Sequence, residues 1–339
     1  MKVSDAFLAR GLVPVMNHRN DTYAMIEDEG RPLVNGLLRR RSAIVFLAIT
    51  RSSKPNAVTF RQDDVFLMAL TDTLLRRLEM AIIGYLEDSG IAEFLFAISG
   101  VGYRRGDSWP TAMTWGINPD SRRAQITTDA RYALFYEVFD SAWTFALLHE
   151  CSHIENGDLD LSGVGNVASP AAEAHERRSQ KFEGDLYRRA QETIDLMFYG
   201  GDGINTGKRF AEVNADRNAA CWLMQLLVKK YISEPTMQSG KPDPFALLHL
   251  ALGAFGAMAA VLLIAHHEVE DETTMPMIDH PGFDVRIAGI GEGIEAHLTS
   301  SDSNLDPGQA ITIMRVIAEL RAPIETVVLG APSDYTVLV

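Results

Sequence analysis

The sequence predicts an α+β fold that is mostly helical, with a small antiparallel sheet ahead of its longest helices. Long apolar or amphipathic segments with helical spacing fill most of the second half of the chain. A short run rich in β-branched residues, Ser42 to Thr50, is typical of a buried strand. Ala112 to Ile117 and Ala124 to Thr128 flank the turn sequence Asn118-Pro119-Asp120-Ser121, which indicates a hairpin.

The composition is that of a folded chain with an acidic surface. Of the 339 residues, 47% are hydrophobic and 22% are charged, which excludes a disordered chain. The net charge of -14 repels phosphate backbones, so nucleic acid is not an expected partner. The two cysteines, Cys151 and Cys221, exclude a disulfide scaffold and favour a reducing, cytoplasmic compartment. Asp5 and Arg10 interrupt the N-terminal apolar residues, so no secretory signal is expected.

Helices are predicted along most of the remaining chain. Asp63 to Leu86 carries apolar residues at helical spacing, and its two leading aspartates favour a helix N-terminus. Further helices are predicted at Asp140 to Asn156, Ala171 to Met197, Phe210 to Ile232, Phe245 to Ala265 and Pro307 to Leu320. Because no linker-like composition separates them, one domain is expected over residues 1–339. It is divided into a mixed part (1–130), a helical core (131–300) and a C-terminal helix and tail (301–339).

The sequence His149-Glu150-Cys151-Ser152-His153 lies within the predicted helix Asp140 to Asn156. Histidines four residues apart share a helix face, so both imidazoles can reach one ion. A zinc ion with three protein ligands keeps a water molecule in its fourth position, and a nearby carboxylate can take the proton of that water. Glu150 is the candidate for this general base, and H-E-x-x-H is a zinc-peptidase signature. The alternative is a packed helix that carries the pattern by chance, and Cys151 is interpreted as a packing residue.

A third ligand is expected on a later helix. Glu212 and Asp216 share a helix face, so Glu212 could complete a set of two histidines and one carboxylate. Asp216 could then accept the other ring N–H of a metal-bound histidine, with His149 preferred. One zinc ion per chain is expected, although this ligand set also suits non-haem iron. A solvated acidic pair is the alternative, and the competing ligands are Glu155, Asp158, Glu173, His175 and Glu176.

The order of these motifs resembles a known group of metallopeptidases. His149 to His153, followed by Glu212-Val213-Asn214-Ala215-Asp216, is similar to the gluzincin pattern of the CAAX-prenyl-protease and heat-shock membrane protease family and of the phage-exclusion peptidases. The resemblance covers Asp140 to Ile290. It implies a zincin-like metallopeptidase fold, zinc held by the two motif histidines and Glu212, and a peptide or protein substrate. The chain departs from these families in the charged stretch between the motifs and in lacking flanking transmembrane helices, and residues 1–110 resemble no named family.

The same families carry a His-Pro pair and an arginine after the glutamate helix, matched here by His280-Pro281 and Arg286. By resemblance, His280 donates a hydrogen bond to the tetrahedral oxyanion and Arg286 braces the site. One such donor typically contributes about a hundred- to thousandfold in rate. The alternative is a loop turn and a surface ion pair.

Phe245 to Ala265 has the length and apolar composition of a membrane span, with His249 its only polar side chain. A single crossing would separate His280 from His149, so the segment cannot cross a bilayer if both belong to one site. Its alanines and glycines suit a tightly packed helix. A buried core helix is therefore predicted rather than a membrane span, and membrane association is the less favoured alternative.

The predicted hairpin offers a place for an extended substrate. An edge strand pairs with a peptide through exposed backbone N–H and C=O groups alone. Trp115 to Asn118 or Ala124 to Thr128 is the candidate strand, and an interior strand is the alternative.

The sequence therefore predicts a zinc-dependent metallopeptidase with Glu150 as general base. Two alternatives stay open: a narrow-specificity protease of stress or phage defence, and a non-catalytic zinc-binding regulatory or structural protein. Glu150 distinguishes the last of these, because a structural zinc site has no use for a base beside an open coordination position.

Overall fold

A computed structural model describes residues 3–15, 21–38, 44–52, 55–87, 130–161, 206–233, 246–271, 283–300, 305 and 307–315. Within these ranges the chain is mostly helical and carries one small sheet, as the sequence predicts. The predicted hairpin at Ala112 to Thr128, the predicted charged helix Ala171 to Met197 and His280 lie outside the described residues. The single-domain organisation stays a prediction for the same reason.

The sheet has four strands and is mixed, which corrects the antiparallel sheet predicted from the sequence. Its strands are β1 (Val13–Pro14), β2 (Ile44–Arg51), β3 (Ala57–Gln62) and β4 (Val65–Thr71), in the order β1-β2-β4-β3. β2 and β4 pair in parallel, whereas the other two pairs are antiparallel. β2 confirms the strand predicted at Ser42 to Thr50. β3 and β4 form an antiparallel hairpin, and β4 lies between β3 and β2 in the sheet. The chain therefore passes from β2 to the edge position of β3 and returns as β4, which runs in the same direction as β2.

The helix predicted at Asp63 to Leu86 is wrong in its first third. Asp63 is in the left-handed region (φ 54) at the tight turn between β3 and β4. The helix α3 begins only at Asp72 and runs to Glu87 (α1 spans Val3–Leu8 and α2 Asp21–Leu37). Thr71 accepts a hydrogen bond from the backbone N–H of Leu74 (3.2 Å) and so caps its first turn. The continuous apolar run of β4 has no period that separates a central strand from a buried helix.

Four long helices make up most of the rest of the described fold. They are α4 (Ala130–Asn156), α5 (Thr206–Val228), α6 (Ala246–Asp271) and α7 (Phe283–Leu298). A 3₁₀ turn, Asp158–Leu161, follows α4, a π-helical turn, Lys229–Ser233, extends α5, and a short helix α8 covers 307–315. These confirm the predicted helices at Asp140 to Asn156, Phe210 to Ile232 and Phe245 to Ala265, and the described part of Pro307 to Leu320. The first of them begins ten residues earlier than predicted.

Helix α4 lies at the centre of the core and packs against α5 and α6, and α5 packs against α7. α6 is the buried helix predicted at Phe245 to Ala265. A Cβ added at Gly256 would lie 2.6 Å from the carbonyl oxygen of Val138, so the backbones of α6 and α4 touch. Among the described residues, no helix qualifies as a membrane span.

Candidate metal centre

The histidine motif lies on the last turns of α4, inside the protein. His149 and His153 are 5% and 8% exposed, and Glu150 between them is 6% exposed. Phe145, Ala146, Leu147 and Leu148, which precede the motif, are all buried, so α4 carries the motif into the core. Polar groups placed there require partners, because burying them without partners is costly.

Helix α5 places Glu212 opposite the two histidines. The Nε2 atoms of His149 and His153 are 3.1 Å apart. Oε2 of Glu212 lies 3.2 Å from Nε2 of His149, and Oε1 lies 3.5 Å from Nε2 of His153. Ligands about 2.0–2.1 Å from a tetrahedral zinc ion are separated by about 3.3–3.4 Å. The three side chains therefore converge at the spacing of a metal site, and this group could hold a metal ion.

Asp216, one turn after Glu212 on α5, lies behind His149. Its Oδ1 is 2.8 Å from Nδ1 of His149, on the far side of the ring from Glu212. Asp216 is completely buried, as is Arg286 of α7. The guanidinium donates two hydrogen bonds to the Asp216 carboxylate, from Nε (2.7 Å) and from Nη2 (3.1 Å). A bidentate arginine–carboxylate pair of this kind fixes the plane of the carboxylate as well as its position.

Arg286 also approaches the candidate ligand itself. Its Nη2 lies 3.6 Å from Oε2 of Glu212, so one guanidinium faces both acidic residues of α5. Glycines on α7 permit this approach: a Cβ at Gly289 would lie 3.1 Å from the carbonyl oxygen of Val213, and one at Gly293 would lie 2.1 Å from that of Arg217. The two helix backbones touch one turn from the Asp216–Arg286 pair.

The second histidine has a carboxylate of its own. Oδ2 of Asp158 lies 3.1 Å from Nδ1 of His153. The sequence placed Asp158 among the competing metal ligands, but its oxygen faces the ring nitrogen that points away from Glu212. Glu155, another competitor, is not among the described residues whose donor atoms converge. Glu173, His175 and Glu176 lie outside the described residues.

The electrostatics of the site favour a positive charge between the imidazoles. Burial lowers the pKa of His149, but Asp216 and Glu212 outweigh it and raise that pKa to about 10. Burial raises the pKa of Glu212, but His149, His153 and Arg286 outweigh it and hold it far below its usual value. Burial likewise opposes the rise in the pKa of His153, which Asp158 and Glu212 cause. In the metal-free protein a proton on an imidazole supplies the charge that these carboxylates attract.

A polar contact missed by the sequence reasoning joins the two helices that carry the site. The side-chain amide of Asn218 on α5 donates a hydrogen bond to Oγ of Ser152 on α4 (3.0 Å). Asn156 donates to the same oxygen (3.2 Å). Ser152 is completely buried and adjoins His153, so the contact holds α5 against the motif. Ser and Asn are too common at helix surfaces for this pair to be recognised from sequence.

Cys151 has the character expected of a packing residue. Its side chain is completely buried, and burial raises the pKa of its thiol well above the usual value. A thiol held in this form is neither a metal ligand nor a nucleophile. The site's chemistry therefore rests on imidazoles and carboxylates.

Comparison of the chain with protein-family models, with curated proteins and with solved structures gave no match.

Proposed function

We propose that this protein is a zinc-dependent metallopeptidase whose metal is held by His149, His153 and Glu212. The observation that carries the proposal is the convergence of two Nε2 atoms and one carboxylate at 3.1–3.5 Å, with a carboxylate behind each imidazole. A carboxylate behind each ring favours the proton on Nδ1 and leaves the Nε2 lone pairs facing one another. At neutral pH this arrangement requires positive charge between the rings, which a proton supplies in the metal-free protein and a metal ion would supply in its place.

The charge balance supports a divalent ion. Four acidic side chains, those of Glu150, Asp158, Glu212 and Asp216, act on the two histidines, and within the described ranges the cation that faces them is the guanidinium of Arg286. Isolated buried charges are strongly disfavoured unless they are paired or bind a metal. A divalent ion removes most of the excess negative charge. Two imidazoles and one carboxylate suit zinc and also non-haem iron, so the identity of the metal is part of the test.

Each residue then has a defined role. His149, His153 and Glu212 would hold a zinc ion, which would supply Lewis acidity toward a water molecule and a carbonyl group. Glu150 would serve as the general base and acid of the reaction, and His280 would donate a hydrogen bond to the oxyanion, as the gluzincin resemblance implies. Asp216 holds Nδ1–H of His149, and Arg286 keeps Asp216 ionised and oriented. The substrate class is a peptide or protein in the cytoplasm.

The alternative to a zinc peptidase is a non-catalytic zinc-binding protein, and the Glu150→Gln variant distinguishes these two functions. This variant keeps the shape of the side chain but removes the base, so we expect full zinc content and a loss of peptide cleavage of about 10²–10⁴-fold. Glu212→Ala should lose the metal, and Glu155→Gln, at the C-terminal end of α4, serves as the control that removes a carboxylate of the same helix. The measurements are metal content by mass spectrometry and cleavage of a peptide library.

Each result has one consequence. Wild-type protein purified without chelators but free of metal contradicts the metal centre. One zinc per chain with no cleavage of any library peptide favours the non-catalytic alternative, and iron in place of zinc contradicts the zinc assignment but not hydrolysis. Cleavage of only one or a few substrates favours the narrow protease of stress or phage defence.

A further inference from the structure

We propose that Asp158 is the positioning residue for His153, so that each metal-binding histidine has its own carboxylate on a different structural element. The inference rests on the proposed metal centre and extends it. Asp216 reaches His149 from α5, whereas Asp158 reaches His153 from the 3₁₀ turn after α4. The second histidine is therefore oriented independently of the Asp216–Arg286 pair.

The turn after α4 brings Asp158 back onto the helix. Gly157 has a positive φ of 78°, and its N–H donates a hydrogen bond to the carbonyl oxygen of Ile154 (3.2 Å). A glycine in this conformation reverses the chain at a helix end. A Cβ at Gly157 would meet nothing within 4 Å, so this position requires the conformation rather than the space. The reversal places a carboxylate five residues after His153 beside its ring.

The contact is largely shielded from water. The side chains of His153 and Asp158 are 11% and 9% exposed, and the N–O distance is 3.1 Å. A carboxylate only accepts hydrogen bonds, so it selects the His153 tautomer with the proton on Nδ1. Nε2 then keeps its lone pair, and Nε2 is the atom that faces His149 and Glu212. With the opposite tautomer, a proton would point into the metal site and a lone pair would face a carboxylate.

The test measures zinc affinity and coordination in full-length Asp158→Ala and Asp158→Asn. Loss of a partner that orients a metal-binding histidine typically costs 10–100-fold in metal affinity. We expect a loss in that range for Asp158→Ala and a smaller loss for the isosteric Asp158→Asn, in competition titrations against a chromophoric chelator. Glu155→Gln removes the same charge from the last turn of α4 and should leave the affinity within twofold of wild type.

Two further readouts separate positioning from a general effect on folding. In the cobalt-substituted protein, the visible d–d absorption should shift in Asp158→Ala, because the imidazole no longer holds its orientation. The melting temperature of the metal-free variants should stay close to that of Glu155→Gln. Unchanged zinc affinity and an unchanged cobalt spectrum in a folded Asp158→Ala would overturn this role alone, whereas failure of the wild-type protein to bind zinc would overturn the metal centre and this role with it.

Discussion

The close contact between α5 and α7 makes a sharp prediction at two glycines of one helix. Gly291 and Gly293 both lie inside α7, but a Cβ at Gly293 would lie 2.1 Å from the carbonyl oxygen of Arg217, whereas one at Gly291 would meet nothing within 4 Å. Alanine favours the helix over glycine by about 0.8–1.0 kcal/mol at either position. The two substitutions therefore differ only in what the methyl group meets.

The magnitude follows from the required movement. A methyl carbon normally stays more than 3 Å from a carbonyl oxygen, so Gly293→Ala forces α7 and α5 apart by about 1 Å (the excess over the 2.1 Å that the structure leaves). Insertions into a packed core typically cost about 1–3 kcal/mol, and a backbone clash falls at the upper end. After the gain in helix propensity, we expect Gly293→Ala to lower the free energy of unfolding by about 1–2 kcal/mol. Gly291→Ala should raise it by about 0.5–1 kcal/mol.

Urea unfolding followed by circular dichroism gives both values, and zinc affinity gives a second readout. Arg286 lies one turn before Gly289 on the same face of α7. Moving that helix therefore weakens the two hydrogen bonds from Arg286 to Asp216. We therefore expect Gly293→Ala to reduce zinc affinity and Gly291→Ala to leave it unchanged. If Gly293→Ala is as stable as Gly291→Ala, the backbone contact does not exist in solution and the reasoning is refuted.

Three further predictions concern charge. Arg286→Met leaves the completely buried Asp216 carboxylate without its cation and should cost about 3–5 kcal/mol in urea unfolding; Arg286→Lys should recover only part of this, and full recovery would show that the bidentate geometry is unimportant. Zinc binding must displace the proton from His149, whose pKa is raised to about 10 by Asp216 and Glu212 against the effect of burial. Zinc affinity should therefore rise with pH, about tenfold per unit for one proton released, and competition titrations at pH 6.5 and 8.5 that gave equal constants would contradict this. Burial raises the pKa of Glu137, but His249, Lys230 and Tyr231 outweigh it and lower it below 4.5, so ionised Glu137 contributes stability above that pH that is lost as the pH falls through its folded-state pKa. Glu137→Gln should flatten the pH dependence of unfolding in the acid range below about pH 4.5, and an unchanged slope would exclude Glu137 as its source.

The residues of the candidate centre that share one helix could be predicted from sequence because their spacing fixes their relative position. His149 and His153 are four residues apart on α4, and Glu212 and Asp216 are four apart on α5, so each pair shares a face. No local sequence pattern indicates that α4 and α5 lie close together. That contact was predicted from the chemistry of a metal site, because two histidines require a third ligand and an acceptor for the other ring N–H.

What could not be predicted depends on contacts between distant or conformationally special residues. The β4 run, Val65–Thr71, is read as helix because a strand buried on both faces loses its alternating pattern, and its parallel partner lies across a crossover. Asp158 reaches His153 only because Gly157 adopts a positive φ. The sequence shows that a glycine is present there, but not where the reversed chain places the next carboxylate.

The buried charges of α5 and α7 are themselves an argument for function over stability. Replacing a buried ion pair by apolar residues of similar volume is often neutral or stabilising, so the Asp216–Arg286 pair is poor evidence of selection for a stable core. Its geometry makes sense once His149 is included, because the same carboxylate that accepts from Arg286 lies 2.8 Å from the histidine ring. Arg286, Asp216 and His149 then form one chain of contacts that ends at Nε2 of His149, and Asp158 and His153 form a second that ends at Nε2 of His153, 3.1 Å away. The two chains converge on one point beside Glu212, and burying them is costly unless a proton or a metal ion supplies positive charge at that point.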